Sequence, residues 1–381
     1  MQKKIMIVAG EASGDLHGSG LVRELYKLQP GLRVFGVGGD RMRQNGTELL
    51  YHINEMSVLG FWDVLKRFAF FQKVYRHLVE IMEAEHPNLL ILIDYPGLNL
   101  KLAQAAKVRG VKVFYYIAPQ VWAWGSGRIK KMVSLIDKIA VILPFEAQLF
   151  QDAGLDAQFV GHPLLEIVAS KLDRDTFFSM HHLDRNQKLI GLLPGSRVLE
   201  VKRLLPEMLR SLAQLKEEHP SIQAVVSKAD SVPLNVYQEI LHNHAPIQLI
   251  ENSTYDIMKN SDLLLVASGT ATLESALFRT PMIIVYKVDP ISYLIGKQLI
   301  KINSIGLVNV IAGRQIVPEF IQGRFHRNYL VPEMKRILFH QDYRNQMIQN
   351  LAILREKLGT PGASTRSAKL AIDTMNSESG S

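Results

Sequence analysis

The sequence contains no cysteine, which excludes disulfide bonds and metal sites built on thiolates and is compatible with a reducing compartment. It also has no apolar run approaching the roughly eighteen residues that a membrane-spanning helix requires. Its 12 histidines show no HExxH or similar ligand spacing, so no metal site is predicted and no cofactor is expected. There is no long Lys/Arg block and no ribbon of basic and aromatic residues, which argues against nucleic acid as a partner.

The residues that are present describe a globular protein of more than one domain. A chain of 381 residues is longer than a typical single core accommodates, and two domains are expected. The hydrophobic fraction is 47% and the charged fraction 21%. The formal net charge of +8 favours an anionic partner, such as an anionic lipid or a phosphorylated metabolite, but charge alone does not choose between them.

Short apolar runs alternate with helical patterns along almost the whole chain. Runs such as KIMIVA, LLILI, KLIGLLP and DLLLVAS are continuous in their hydrophobicity, which is typical of parallel strands buried on both faces. Two successive series of this kind predict an α/β protein with two doubly wound, Rossmann-like domains. We place the domains at 1–164 and 165–345, followed by C-terminal helices and a frayed tail at 346–381 that could pack back on the first domain.

The first glycine-rich stretch, VAGEASGDLHGSG, follows the first strand and leads into a helix predicted from Leu21. It has neither the Lys of a P-loop nor the glycine spacing of a dinucleotide fingerprint. One interpretation is a turn whose backbone approaches a ligand and which presents Glu11, Ser13 and His17. The other is a tight turn in which Ser13 or Asp15 caps the helix.

Two turns in the second half have features of a nucleotide site. In PGSR, the main-chain N–H groups around Ser196 and the guanidinium of Arg197 suit a phosphate. In SGTATLE, Gly269 and Thr270 open a helix, and Glu274 is placed to accept hydrogen bonds from ribose hydroxyls. Each could instead be an ordinary capped turn with solvated side chains, but two such turns in one domain favour a nucleotide.

Asp94, in IDYPGLN, stands at the carboxyl end of a predicted buried strand, where open parallel sheets bind their ligands. A carboxylate there could act as a general base on a hydroxyl group, or it could simply cap the next helix. Trp122 and Trp124 follow another strand and could line a sugar or acyl site or pack in the core.

The segment from Met56 to Met82 has one helical apolar stripe, which is ordinary core spacing. It also has further aromatic and aliphatic residues, with basic residues beside them, as in an element that lies at a membrane interface. A well-buried helix is the alternative. The residues expected to bind acyl chains or membrane are Val58, Leu59, Phe61, Trp62, Lys66, Arg67 and Phe70.

Taken together, these segments resemble the lipid-A-disaccharide synthase family of GT-B glycosyltransferases, in order and over nearly the whole chain. One position departs from the family pattern, because the family often has an acidic residue where this chain has Gly97. This departure weakens any mechanism that needs a second carboxylate beside Asp94. The matching segments are AGEASGD, GVGGDRM, MSVLGFWDVL, IDYPGLN, PQVWAWG, VGHPL, LPGSR, ASGTATLE, TPMIIVY and GLVNVIAGRQIVPEF.

The resemblance implies two domains that face a cleft and a reaction that inverts the anomeric centre without a metal ion. UDP-2,3-diacylglucosamine would be the donor and 2,3-diacylglucosamine 1-phosphate the acceptor, giving a β-1′,6-linked disaccharide 1-phosphate and UDP. Asp94 is the expected base, and Glu11, Ser13 and His17 are expected on the acceptor side. The residues expected to contact the UDP-sugar are Ser196, Arg197, Gly269, Thr270, Glu274, Asn309 and Arg314.

The acylated substrates imply a peripheral position on the cytoplasmic face of the inner membrane, where the positive net charge would favour anionic lipids. A second copy of the chain, in a homodimer, is a further candidate partner. Two alternatives of other classes are a UDP-sugar 2-epimerase of the same architecture and a non-catalytic nucleotide-binding membrane module.

Overall fold

The computed structural model describes residues 2–56, 68–119, 127–244, 246–289 and 304–377, which form two compact units. Unit 1 comprises Met1–Glu166 and Leu358–Ser381, and unit 2 comprises Ile167–Lys357. The chain therefore passes from unit 1 to unit 2 after Glu166 and returns after Lys357. The C-terminal region that we treated as one segment is divided, because its first helix belongs to unit 2 and its last helix to unit 1.

The described strands of unit 1 form a seven-stranded sheet in the order β3-β2-β1-β4-β5-β6-β7, with parallel pairing between neighbours. The continuous apolar runs account for this arrangement, since every residue of β4 is buried and a parallel sheet is covered on both faces. The strands are β1 (Lys4–Ala9), β2 (Arg33–Gly38), β3 (Glu48–His52), β4 (Leu89–Ile93), β5 (Lys112–Tyr116), β6 (Lys138–Val141) and β7 (Ala157–Phe159).

Helices cover this sheet. The described ones are α1 (Ala12–Leu28), α2 (Asp40–Gln44), α3 (Ile53–Met56), α4 (Phe68–Glu85), α5 (Pro96–Val108), α6 (Gly127–Leu135), α7 (Pro144–Asp152), α8 (Leu164–Ile167) and the C-terminal α17 (Ala363–Asn376). Glu166, the last residue of unit 1 before the chain enters unit 2, contacts the segment that follows the return to unit 1. Its Oε1 accepts hydrogen bonds from the N–H groups of Gly362 (3.0 Å) and Ser364 (3.1 Å) at the start of α17.

The described strands of unit 2 form a six-stranded sheet in the order β10-β9-β8-β11-β12-β13, again with parallel neighbours. The strands are β8 (Lys188–Leu193), β9 (Ile222–Ser227), β10 (Gln248–Ile250), β11 (Leu263–Ala267), β12 (Met282–Tyr286) and β13 (Glu319–Ile321). The helices are α9 (Arg174–Met180), α10 (Val198–Glu218), α11 (Leu234–Leu241), α12 (Thr254–Asn260), α13 (Thr270–Leu277), α14 (Leu307–Ala312), α15 (Arg327–Phe339) and α16 (Gln341–Lys357), with a 3₁₀ turn at Gln322–Arg324. The prediction of two Rossmann-like α/β domains is confirmed.

The turn in the first glycine-rich stretch is shorter than predicted, because α1 already begins at Ala12. The helix contains Gly14, Gly18 and Gly20. A Cβ added at Gly14 would lie 3.2 Å from the Cβ of Ala9, and one at Gly18 only 2.8 Å from the Sδ of Met42. These glycines therefore allow a helix to pack closely on the sheet and on α2, which is a packing role and not a backbone approach to a ligand.

Asp15 does not cap α1 either. Its carboxylate accepts hydrogen bonds from the N–H groups of Gly39 (2.7 Å), Met42 (3.0 Å) and Arg41 (3.2 Å), which open α2. The N-cap position of α1 is Glu11, without a side-chain cap. Asp15 thus connects the AGEASGD segment to the GVGGDRM segment.

Candidate active site

The strand order of unit 1 reverses between β1 and β4, so the segments that leave these two strands lie next to each other at one edge of the sheet. Ala9 pairs with Ile93, and the chain continues into Gly10 and Glu11 on one side and into Asp94 and Tyr95 on the other. This is the position at which open α/β sheets bind their ligands.

Gly10 is needed there for a steric reason. A Cβ at this position would lie 2.3 Å from the Cγ of Tyr95, closer than any side chain permits. The ring of Tyr95 therefore packs directly on the backbone after β1, which brings the two loops into contact.

Asp94 is half-buried at this edge, and its environment favours the neutral carboxyl group. Burial, and then the negative charge of Glu11, raise the pKa of Asp94 from 3.8 to about 6, while a hydrogen bond from the Tyr95 N–H acts in the opposite direction. A carboxyl group that titrates near 6 is ionised at neutral pH and is a stronger base than an ordinary aspartate.

The residues expected on the acceptor side lie in different environments. Glu11 is exposed and Ser13 is half-buried, so both are accessible at the edge that carries Asp94. His17 is only 6% exposed, and its ring meets the edge of the His162 ring at a centroid distance of 6.3 Å. Burial lowers the pKa of His17 to about 4, so the ring is neutral at pH 7. The ring therefore belongs to the interior of unit 1 in this structure, and the expected contact between His17 and an acceptor stays a prediction.

Unit 2 repeats the geometry of the switch point with β8 and β11, whose residues Leu193 and Val266 pair. The PGSR turn follows β8 and the SGT turn follows β11, so the two turns leave adjacent strands. Ser196, Arg197, Gly269 and Thr270 are all exposed. The structure thus places on adjacent strands the two turns that together predict a nucleotide site.

The main-chain donors of the PGSR turn already have a partner. The Oε2 of Glu200 accepts hydrogen bonds from the N–H groups of Ser196 (3.1 Å) and Arg197 (3.3 Å). The guanidinium of Arg197 lies 3.4 Å from the other carboxylate oxygen of Glu200 and is otherwise largely exposed. Gly195, at φ +113°, makes room for this carboxylate, since a Cβ there would lie 2.4 Å from it. Glu200 was not among the expected contacts, although it stands three residues after Arg197, as in a capping box.

The SGT turn is more open. Gly269 has φ +154°, and a Cβ at this position would meet nothing within 4 Å. Glu274 lies one turn into α13 and accepts a hydrogen bond from the hydroxyl of Tyr255 at 2.9 Å. Burial raises the pKa of Glu274, and the Tyr255 hydrogen bond partly offsets that shift.

Asn309 is 1% exposed, and its side chain is used inside unit 2. Its Oδ1 accepts hydrogen bonds from the N–H groups of Ile316 (2.7 Å) and Val317 (3.0 Å), while its Nδ2 donates to the Oε1 of Glu319 at 2.6 Å. A direct contact between this side chain and a nucleotide would require it to leave these partners. In this structure Asn309 holds the loop before β13, and its expected contact with the nucleotide stays a prediction.

Glu319, the first residue of β13, completes this arrangement and was not among the expected contacts. It also accepts hydrogen bonds from the N–H groups of Ile305 (2.9 Å) and Gly306 (3.1 Å) at the start of α14. Glu319 lies in the same matching segment as Asn309, and this shared segment is the feature of the sequence that could have indicated its role. Arg314 remains exposed in that segment and donates to the Oδ1 of Asn350 at 2.8 Å.

Comparison with known proteins bears on the family and on the fold of the chain. A model of the family described as Lipid-A-disaccharide synthetase matches residues 5–371. The chain is 42% identical over 376 residues to the lipid-A-disaccharide synthase of Geobacter sulfurreducens, covering 98% of both chains. It is 43% identical over 372 residues to that of Syntrophus aciditrophicus, covering 97% of both.

The chain belongs to the lipid-A-disaccharide synthetase family.

Solved structures resemble this family member in fold. A UDP-N-acetylglucosamine 2-epimerase from Neisseria meningitidis, solved with UDP-GlcNAc, superposes with a TM-score of 0.62 at 13% identity, covering 98% of this chain and 99% of that one. The MnaA protein of S. aureus, solved with UDP, gives 0.65 at 16% identity, covering 96% and 94%. At these identities the likeness concerns the fold, which is that of the GT-B type.

Most of the segment expected to bind acyl chains or membrane lies outside the described residues, namely Val58, Leu59, Phe61, Trp62, Lys66 and Arg67, as do Trp122 and Trp124. Phe70 is described. It is partly buried, packs against the core of unit 1, and lies 5.8 Å from Phe71 between ring centroids. The Phe70 ring thus packs in unit 1, and its expected interfacial role stays a prediction. Among the described helices, none combines the length and the apolarity that a membrane span needs.

Proposed function

We propose that this family member transfers the diacylglucosamine of UDP-2,3-diacylglucosamine to the 6-hydroxyl of 2,3-diacylglucosamine 1-phosphate. The acceptor oxygen attacks the anomeric carbon of the donor, the bond from that carbon to UDP breaks, and the anomeric configuration inverts. The products are the β-1′,6-linked disaccharide 1-phosphate and UDP.

Asp94 is the base that takes the proton of the acceptor hydroxyl in this proposal. The observation that carries it is the half-buried carboxyl group at the switch point of unit 1, whose pKa is raised to about 6 by burial and by Glu11. Glu11 also supplies a second carboxylate near Asp94 in a chain that has Gly97 where the family often has an acid. An inverting transfer needs one base on the acceptor, and Asp94 is ionised and basic enough at neutral pH.

Unit 2 holds the nucleotide in this proposal. Arg197 and the main chain of the SGT turn would receive the diphosphate, where a helix start and a guanidinium stabilise the charge of the departing UDP. Glu274 would accept from the ribose, and Arg314 would contact a phosphate. Asn309 and Glu319 contribute by holding the loop that carries Arg314.

The test is an assay of the purified protein with the diacylated UDP-sugar and its 1-phosphate acceptor, with products identified by mass spectrometry. Formation of a tetraacyl disaccharide 1-phosphate and an equal amount of UDP supports the proposal. Interconversion of UDP-N-acetylglucosamine at carbon 2, without acceptor, would favour the epimerase alternative. Binding of UDP without turnover of either substrate would favour a non-catalytic module.

A peripheral location on an anionic membrane surface is a further part of the proposal, and it is supported by the net charge of +8 and by the pattern around Phe61 and Trp62. Co-sedimentation with vesicles of phosphatidylglycerol and phosphatidylethanolamine tests it. The double variant Phe61→Ser/Trp62→Ser should bind less than wild type. Equal binding by the two proteins would remove this segment from the membrane contact.

A further inference from the structure

The main chain that carries Asp94 has an unusual conformation. Asp94 and Tyr95 both have φ 45°, in the left-handed region that residues other than glycine rarely occupy. Ile117, at the end of the neighbouring strand β5, has φ 64°, and its carbonyl oxygen accepts a hydrogen bond from the Asp94 N–H at 3.3 Å. Such conformations cost free energy and persist only where surrounding contacts impose them.

Two buried side chains hold this main-chain conformation through a single atom, the backbone carbonyl oxygen of Asp94. The Nδ2 of Asn99 donates to it at 2.7 Å and also donates to the carbonyl of Ile93 at 3.1 Å. The hydroxyl of Tyr115 donates to the same Asp94 oxygen. Asn99 and Tyr115 are each 0% exposed, so neither donor competes with bulk water.

The two donors come from different elements. Asn99 lies in the first helical turn of α5, the helix that follows Asp94 and Tyr95. Tyr115 lies in β5, which pairs with β4. Burial first, and then the charge of Asp94, raise the pKa of Tyr115 well above its ordinary value. Its hydroxyl therefore remains protonated, and remains a donor, wherever Asp94 is ionised.

We propose that Asn99 and Tyr115 are positioning residues that hold the Asp94–Tyr95 turn and thereby orient the Asp94 carboxylate toward the acceptor hydroxyl. This inference rests on the proposed role of Asp94 as the base. These hydrogen bonds do more than give a buried carbonyl a partner. Two independent donors converge on the residue whose carboxylate is proposed to accept a proton. That residue is also held in a main-chain conformation that costs free energy.

Tyr115→Phe is the sharpest test, because it removes one hydroxyl and leaves the ring that fills the core. We expect kcat to fall about tenfold, with KM for both substrates changed less than about twofold, since the acceptor still binds but meets a misaligned base. We also expect the acid limb of kcat/KM, near the pKa of Asp94 of about 6 in wild type, to move to lower pH. A relaxed turn exposes the carboxyl group to water, which reduces the desolvation that raises its pKa.

Tyr116→Phe is the matched control. Tyr116 is the next residue of β5, is equally buried, and points to the opposite face of the sheet, where its hydroxyl lies near Ser364 and Ser367 of α17. This variant should keep both the kcat and the acid limb of wild type. Asn99→Asp is the second test variant, since it replaces the donor by an acceptor of the same shape, and it should lower kcat at least as much as Tyr115→Phe.

The outcomes separate this inference from the proposed function. If Asp94→Asn retains activity, Asp94 is not the base and the proposed mechanism fails. If Asp94→Asn is inactive but Tyr115→Phe keeps the wild-type kcat and acid limb, only the positioning role is overturned. A fall in the melting temperature of Tyr115→Phe with unchanged kinetics, or a failure of this variant and of Asn99→Asp to fold at all, would likewise assign the two side chains to stability and overturn the inference.

Discussion

Units 1 and 2 have the same strand order about the switch point, yet the side chains there differ in charge. In unit 1 the loops after β1 and β4 bring the carboxyl groups of Glu11 and Asp94 near each other. In unit 2 the loops after β8 and β11 present Arg197 and the exposed SGT turn at the start of a helix.

This difference supports the proposal that the fold specifies where a ligand binds and that the loop residues specify which chemistry takes place. Burial and the negative charge of Glu11 raise the proton affinity of Asp94, as a base requires. A guanidinium and a helix start favour a negatively charged group, as a diphosphate requires. The predictions below test this division of roles, beginning with the largest expected effect.

Asp94→Asn should lower kcat at least about a hundredfold, because the acceptor hydroxyl loses its base. Affinity for UDP, measured by calorimetry, should stay at the wild-type value, since UDP is assigned to unit 2. Asp175→Asn, on the surface of unit 2, is the control and should be fully active. An Asp94→Asn variant with near-normal turnover would place the base elsewhere.

Arg197→Ala should weaken UDP binding roughly tenfold to hundredfold, in line with the loss of a charge-assisted hydrogen bond worth about 1.5–3 kcal/mol. Lys216→Ala, exposed near the far end of α10, provides the comparison and should bind UDP normally. Equal affinity in both variants would mean that a residue other than Arg197 binds the diphosphate.

Asn309→Ala should reduce the free energy of unfolding by about 2 kcal/mol, because it leaves the main-chain donors at 316 and 317 and the carboxylate of Glu319 without their partner. UDP affinity per folded molecule should change little. Urea denaturation and calorimetry measure the two effects. A large loss of affinity at unchanged stability would restore Asn309 to the nucleotide contacts.

His17, which is buried in unit 1, should make the free energy of unfolding depend on pH. Its pKa is about 4 in the folded chain and 6.5 in the unfolded chain, so between these values the unfolded chain binds a proton that the folded chain does not. The free energy of unfolding therefore decreases as the pH falls from 6.5 toward 4. His17→Gln should make this decrease shallower, whereas His242→Gln, an exposed histidine of unit 2, should not. Urea titrations at pH 7 and pH 5 compare them, and identical slopes in His17→Gln and wild type would contradict the assignment.

Glu200→Gln should have the smallest effect, a gain in UDP affinity of roughly threefold, because it removes one half-buried negative charge beside the expected diphosphate. Calorimetry against wild type measures it. Weaker UDP binding in this variant would show that the carboxylate organises the turn for the nucleotide instead of opposing it.

Much of this arrangement was predictable because it depends on local pattern. Continuous apolar runs predict parallel strands, and a carboxylate at the end of such a run, as at Asp94, marks a candidate site without knowledge of its neighbours. The first glycine-rich stretch was interpreted wrongly as a long turn because glycine disfavours helices when considered alone. In the folded chain, the close approach of α1 to Ala9 and Met42 outweighs that local preference.

The amino-acid order on its own therefore determined the two Rossmann-like domains, the family and the strand ends at which Asp94 and Arg197 lie. Tertiary structure decided which polar groups remain available for chemistry, since hydrogen-bond partners come from distant segments. Glu319 engages Asn309, Glu200 engages the PGSR turn, and burial withdraws His17. Asp94 acquires its raised pKa only when folding removes water from it and places Glu11 nearby, and desolvation and charge proximity are properties of three-dimensional packing.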